Sequence, residues 1–236
     1  MSEKEPPSPP WRARLKGLKD DLEDLATCLQ GNIRVFQQDG AHFLESELLN
    51  SASNPNEAHQ RAKELLRVIS SVERVRRSIA KPVEVTGIYW NNPNGTWGRM
   101  LVASSTFTVF DGIVRLSAPT VFERSVELAL RDEGVRINLD DFCGEWDFPR
   151  LRRIAELIFL DVGAGDVKRG VQGVVSRGWA FAQDCARFRD TVNYGDGKAL
   201  GAHSHARRSH GQNPMNVSEA GDFLRGVLAR WVESRI

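Results

Sequence analysis

The sequence predicts an α+β fold, mainly helical, with a small antiparallel β-meander inserted and a C-terminal helical bundle. Three observations predict it. Apolar residues recur at alternating spacings of three and four up to about residue 81 and again beyond residue 119. Between those regions the period drops toward two, in runs rich in β-branched and aromatic residues. Turn dipeptides such as Asp111-Gly112 punctuate those runs. The organisation expected is a lead-in over 1–10, a helical region over 11–81, a sheet over 82–118 and a helical domain over 119–236.

Residues 1–10 are polar and proline-rich and predict a disordered or polyproline-like lead-in. Trp11, Leu15, Leu18, Leu22, Leu25 and Leu29 then follow a four-three rhythm, the seam of a helix. Gly31-Asn32 and Asp39-Gly40 break the chain, and a short second helix is expected over Ala41–Leu49. Asn54-Pro55-Asn56 is a turn that opens the longest helix, over Glu57–Ala80. Its stripe is Ala62, Leu65, Ile69, Val72 and Ile79. Lys63, Arg67, Arg74, Arg77 and Lys81 fall on a neighbouring face, either solvated or able to bind phosphates.

Strands are expected over Val83–Trp90 and Trp97–Ala103, around an Asn-rich turn. A hairpin is expected from Thr106 to Leu116, because Asp-Gly tolerates the positive φ that its two central positions need. A helical reading of 99–116 stays open, since Ala103, Phe107, Phe110 and Val114 also form a stripe. Trp90 and Trp97 suit cross-strand packing, or stacking on a base.

Helical spacing returns over Val121–Asp132, with a short strand expected at Val135–Leu139. Pro149 suits the first turn of a helix over Arg150–Asp161. Asp166 can cap a long central helix carrying Val167, Val171, Val174, Gly178, Phe181, Cys185 and Phe188. The final helix, Val217–Arg235, opens with Asn216 as cap and Glu219 three residues on.

A net charge of +1 gives no bulk attraction to nucleic acid or membrane, so any such affinity must be local. Cys28, Cys143 and Cys185 have no paired spacing, which argues for reduced thiols in a cytoplasmic protein. No apolar run reaches the roughly 20 residues needed to span a bilayer.

Reactive side chains concentrate from residue 187 to residue 210. Arg187 and Arg189 end the central helix, and Lys198, His203, His205, Arg207, Arg208 and His210 follow in a Gly-rich stretch. Imidazoles beside fixed positive charge suit phosphate binding or proton transfer. A mobile polar loop is the plainer reading. Metal binding through His203, His205 and His210 is a third, but no neighbouring carboxylate or cysteine completes a ligand set. Asp140, Asp141, Glu145 and Asp147 form an acidic stretch, read as solvated charge or a cation site. No cofactor or metal is expected.

Phe188-Arg189-Asp190-Thr191-Val192-Asn193-Tyr194-Gly195, followed by a loop and a closing helix, resembles the C-terminal half of HEPN domains. Those carry Arg, a polar residue, three residues and His at a helix end, and many are metal-independent ribonucleases in which two motifs meet across a dimer. The resemblance spans Asp166 to Ile236. It implies that Arg189 stabilises charge on a scissile phosphate and that Asp190 orients the site. Tyr194 stands where the family has histidine, and a phenol with pKa near about 10 is a poor base at neutral pH. The resemblance therefore implies either binding without cleavage, or proton transfer by His203, His205 or His210.

The expected partners are RNA or another nucleic acid and a second copy or partner protein engaged through helices, without a membrane. Arg187, Lys198, Arg207 and Arg208, with Arg67, Arg74 and Arg77, are the expected nucleic-acid contacts. The function implied is RNA binding or cleavage in a prokaryotic defence or toxin–antitoxin type system. The alternative is a non-enzymatic assembly protein using its N-terminal helices and basic face.

Overall fold

A computed structural model describes residues 11–76, 83–92, 96–101, 119–194 and 214–236, with the backbone alone for Trp97, Pro119 and Tyr194. The fold is α+β and mainly helical, as the spacing predicts. The chain forms two compact units, 1–130 and 131–236. The lead-in 1–10, the helix end at Arg77–Lys81 and the hairpin over 106–116 lie outside the described residues.

Among the described residues, unit 1 is built on a five-stranded antiparallel sheet with strand order β2-β3-β1-β4-β5. Its strands are β1 (Arg12–Lys16), β2 (Ile33–Gln38), β3 (Ala41–Ser46), β4 (Glu84–Asn91) and β5 (Trp97–Leu101). Three of them come from the region where the spacing predicts helices, so that expectation is corrected. Trp11-Arg12-Ala13-Arg14-Leu15-Lys16 alternates apolar and polar. Pairing with β3 on one side and β4 on the other buries Trp11, Ala13 and Leu15 together. The helix there, α1 (Lys19–Cys28), starts only after Gly17, and Leu18 is 46% exposed where a helical seam would bury it.

The helix expected over Ala41–Leu49 is likewise mostly strand, with a single helical turn, α2 (Glu47–Asn50), whose start Ser46 caps by accepting from Leu49 N–H. Asp39 and Gly40 have φ of 49° and 74°, the two positive angles of a tight hairpin turn. They fold β2 onto β3, with Phe36 opposite Phe43 and Gln38 opposite Ala41. The strands expected over 83–90 and 97–103 form as β4 and β5 as far as Leu101, and they join this larger sheet through β1.

Helix α3 (Pro55–Arg76) packs on β4 and β1. Asn54 accepts from Glu57 N–H at its start, and Ala62, Leu65, Ile69 and Val72 are buried as expected. With Ala13, Leu44 and Ile88 they form the core of this unit. Helix α4 (Pro119–Arg131) brings Phe122 under the Arg76 guanidinium, 4.4 Å from the ring centre.

Unit 2 is helical. Its helices are α5 (Glu133–Cys143), α6 (Phe148–Val162), α7 (Val167–Ser176), α8 (Ala182–Tyr194) and α9 (Val217–Glu233), and α6 touches the other four. Local signals set its boundaries. Asp132, Asp147, Asp166 and Asn216 each accept a hydrogen bond from the backbone N–H three residues on. Glu219 completes a capping box with Asn216.

Two expectations fail in this unit. Val135–Leu139 is helix, because Asp132 caps α5 and Val135, Asn138, Leu139 and Phe142 line its buried side. The long central helix is two helices. The backbone reverses at Gly178 (φ 70°), where Trp179 N–H returns to the Val174 carbonyl.

Candidate functional site at the α8–α9 junction

Helix α8 buries Cys185, Phe188 and Thr191, spaced three apart, and Phe188 stacks on Phe223 of α9 with ring centres 4.9 Å apart. Burial, with a smaller contribution from Asp184, pushes the Cys185 thiol up, so it is a poor nucleophile. With that face inward, the two arginines diverge. Arg187 turns toward α9, where its guanidinium reaches Glu219 at 3.1 Å and the Pro214 carbonyl at 3.5 Å. Glu219 is also the capping-box carboxylate, so Arg187 braces the start of α9.

Arg189 lies on the outer side, its side chain 63% exposed, and its guanidinium meets Asp190 at 3.3 Å. An adjacent pair this exposed and this loosely drawn contributes little to stability. Arg189 therefore stays largely in solvent, its charge favoured by Asp190 and by the carbonyl end of α8.

Thr191 was not foreseen in any role, and it fastens the junction. Its hydroxyl donates to the Arg187 carbonyl at 2.8 Å and accepts from Met215 N–H at 2.9 Å, in a position 2% exposed. The chain thus leaves α8 and rejoins α9 at one anchored place. Nothing in the local sequence announces this, since Thr191 and Met215 lie 24 positions apart.

Of the residues expected to form the site, Arg189 and Asp190 stand together and Arg187 faces away from them toward α9. Tyr194 ends α8. Lys198, His203, His205, Arg207, Arg208 and His210 lie outside the described residues. The described histidines, His42 and His59, both belong to unit 1, so among the described residues no imidazole accompanies Arg189.

Of the basic face expected on α3, Lys63 is exposed, and Arg77 and Lys81 lie outside the described residues. Arg67 is exposed and Arg74 half-buried, and the apolar stripe of the helix is spent inside unit 1. The acidic stretch is also occupied: Asp141 pairs with Arg153 at 2.7 Å and Asp147 caps α6. Among the described residues, no group of three or more His, Cys, Asp and Glu could hold a metal ion.

Trp90 packs on Trp11, 5.4 Å between ring centres, and donates to Asn92. Among the described residues no helix is long and apolar enough to cross a membrane. No family model matches this sequence, and neither a curated protein nor a solved structure matches it.

Proposed function

We propose that the chain is an HEPN-like RNA-binding or RNA-cleaving protein of a prokaryotic defence or toxin–antitoxin type system, acting as a dimer through unit 2. The observation that carries this reading is Arg189, an exposed guanidinium beside Asp190 in the C-terminal half of α8. The reaction it suits is metal-independent. The 2′-hydroxyl attacks the adjacent phosphorus, the P–O5′ bond breaks, and the products are a 2′,3′-cyclic phosphate and a free 5′-hydroxyl. Arg189 offsets charge on the non-bridging oxygens, and a histidine among 203, 205 and 210 takes the 2′-hydroxyl proton while the leaving 5′-oxygen takes one from a second of these histidines or from water, so that one proton is removed and one supplied.

The test is RNA incubated with the protein in EDTA, beside Arg189→Ala. Cleavage to cyclic-phosphate ends should fall at least about a hundredfold in the variant, the scale of losing one preorganised charge stabiliser. Equal cleavage by both removes Arg189 from the reaction. If neither cuts, the cleavage branch fails, and RNA affinity measured with and without Arg189 decides the binding branch.

A further inference from the structure

The outer face of the unit 1 sheet carries a second, independent arrangement. Strand alternation puts Ala13, Leu15, Ile33, Val35, Leu44 and Ile88 on the buried side. The opposite side shows Arg12 and Arg14 of β1, Arg34 and Phe36 of β2, Phe43 and Glu45 of β3, Tyr89 of β4 and Arg99 of β5. Register aligns them in two rows across the strands. One row runs Phe36, Phe43, Arg14, Gly87, Leu101, since Phe36 pairs with Phe43, Phe43 with Arg14, Arg14 with Gly87 and Gly87 with Leu101. The other runs Arg34, Glu45, Arg12, Tyr89, Arg99.

The aromatic side chains are half-buried and contiguous. Phe36 and Phe43 stack with centres 5.9 Å apart, and Phe43 meets Tyr89 edge-on at 5.5 Å. Gly87 has no side chain to fill its place in the row, so Tyr89 leans over it, its ring 3.2 Å from where a Cβ would stand.

Charge on this face is one-sided. Glu45 is the one carboxylate in the two rows, and Arg12 and Arg34 already hold it, each at 2.5 Å. Arg14 and Arg99 are exposed, and their side chains make no hydrogen bond or ion pair among the described residues. An ordinary solvated sheet face mixes both signs and keeps its large aromatic rings inside. This one sets contiguous rings among four arginines.

We propose that this face binds single-stranded nucleic acid, with Phe43 and Tyr89 stacking on bases and Arg14 and Arg99 contacting phosphates, beside a Phe36 ring that the Arg12 and Arg34 guanidiniums already cover at 5.4 and 4.9 Å from its centre. A duplex hides its base faces in its own stack and can offer the sheet only phosphates, so the rings select the single strand. An acidic peptide would satisfy the arginines and leave the rings unused. The surface belongs to unit 1, and Arg189 takes no part in it.

The test is fluorescence anisotropy of a labelled short oligouridine with the full chain, against three comparison probes: the same backbone without bases, a duplex of equal length and an oligoglutamate peptide. The base-bearing single strand should bind at least about tenfold more tightly than each of the others, the scale of one stacked base. Phe43→Leu, which keeps an apolar side chain and removes the ring, should weaken binding about tenfold. Arg14→Gln and Arg99→Gln should each lower the slope of log affinity against log salt by about 0.7. Arg152→Gln, at an exposed arginine of unit 2 paired with Glu156, should leave the affinity unchanged. Equal binding of the base-free backbone or of oligoglutamate, wild-type affinity in Phe43→Leu, or no binding at low salt would each overturn the proposal. An equal loss in Arg152→Gln would overturn it too, since binding would then follow surface charge in general and not this face.

Discussion

The two units reach their folds by different means. In unit 1 the determining contacts are distant in sequence: β1 lies between β3 and β4, and its residues 12–16 find partners from 42–44 and 84–89. In unit 2 the decisions are local, because four of the five helices among its described residues start at an Asp or Asn that caps its own first turn. A capped helix can be read from a dozen residues. A central strand cannot, because its identity depends on neighbours that the sequence brings in much later.

The contrast predicts where each unit is most easily damaged. In unit 1 the largest loss should come from Ile88→Ala, a fully buried β4 residue paired with Ala13 and Met100, at about 2–5 kcal/mol by denaturant unfolding. Its counterpart in unit 2 is Gly170→Ala. A Cβ there would fall 1.8 Å from the Phe159 carbonyl oxygen, and α7 cannot stay seated on α6 without yielding backbone. About 3 kcal/mol is expected. A near-neutral result would show that the α6–α7 seam adjusts more readily than its geometry implies.

Next in size is Gly40→Ala, which puts a Cβ at φ 74° in the β2–β3 turn and should cost about 1–2 kcal/mol. Asp166→Ala removes the cap of α7 and should cost about 1 kcal/mol. Its effect should be confined to amide exchange in the first turn of α7, whereas Gly40→Ala should loosen β2 and β3 along their length. Equal spread in both variants would erase the distinction between the units.

The smallest effect concerns pH. Glu57 accepts from the Ser53 hydroxyl, then from the Ser53 N–H, with Arg61 adding less, and its carboxyl is lowered from the ordinary 4.5 to about 2. A depressed folded value means the contribution is whole above about 4.5 and is lost as pH falls toward 2. Carboxyl-detected NMR should place the midpoint near 2, and Ser53→Ala should raise it. No rise would mean that the Ser53 hydroxyl is not the main cause.

These differences also explain what could be read from residues alone. The caps Asp166 and Asn216 and the position of Pro149 were legible because each acts within one helical turn. The leucines of 11–29 misled because Trp11, Leu15 and Leu18 satisfy a helical spacing, while the strict alternation of 11–16 carries the truth. Asp39-Gly40 was legible as a break, yet it is the same hairpin dipeptide that singles out Asp111-Gly112. At the α8–α9 junction the arginines could be found by type, but not their directions. Arg187 and Arg189 differ by two positions, and only the buried line of Cys185, Phe188 and Thr191 decides which one faces α9. The outer sheet face was invisible for the same reason as β1: a row across strands has no footprint along the chain.

At the opposite end of unit 2 from that choice, Arg235 bonds to Asp132 at 2.7 Å and to Asp161 at 2.8 Å, and Asp161 also receives the Trp231 indole N–H. The unit is latched by its own final turn. During synthesis, then, the β-rich half could settle while the ribosome is still adding residues, but the helical half would wait, its latch unfastened, until α9 had emerged. A nascent chain stalled before Trp231 should accordingly show a protease-resistant first half and a second half still open to digestion.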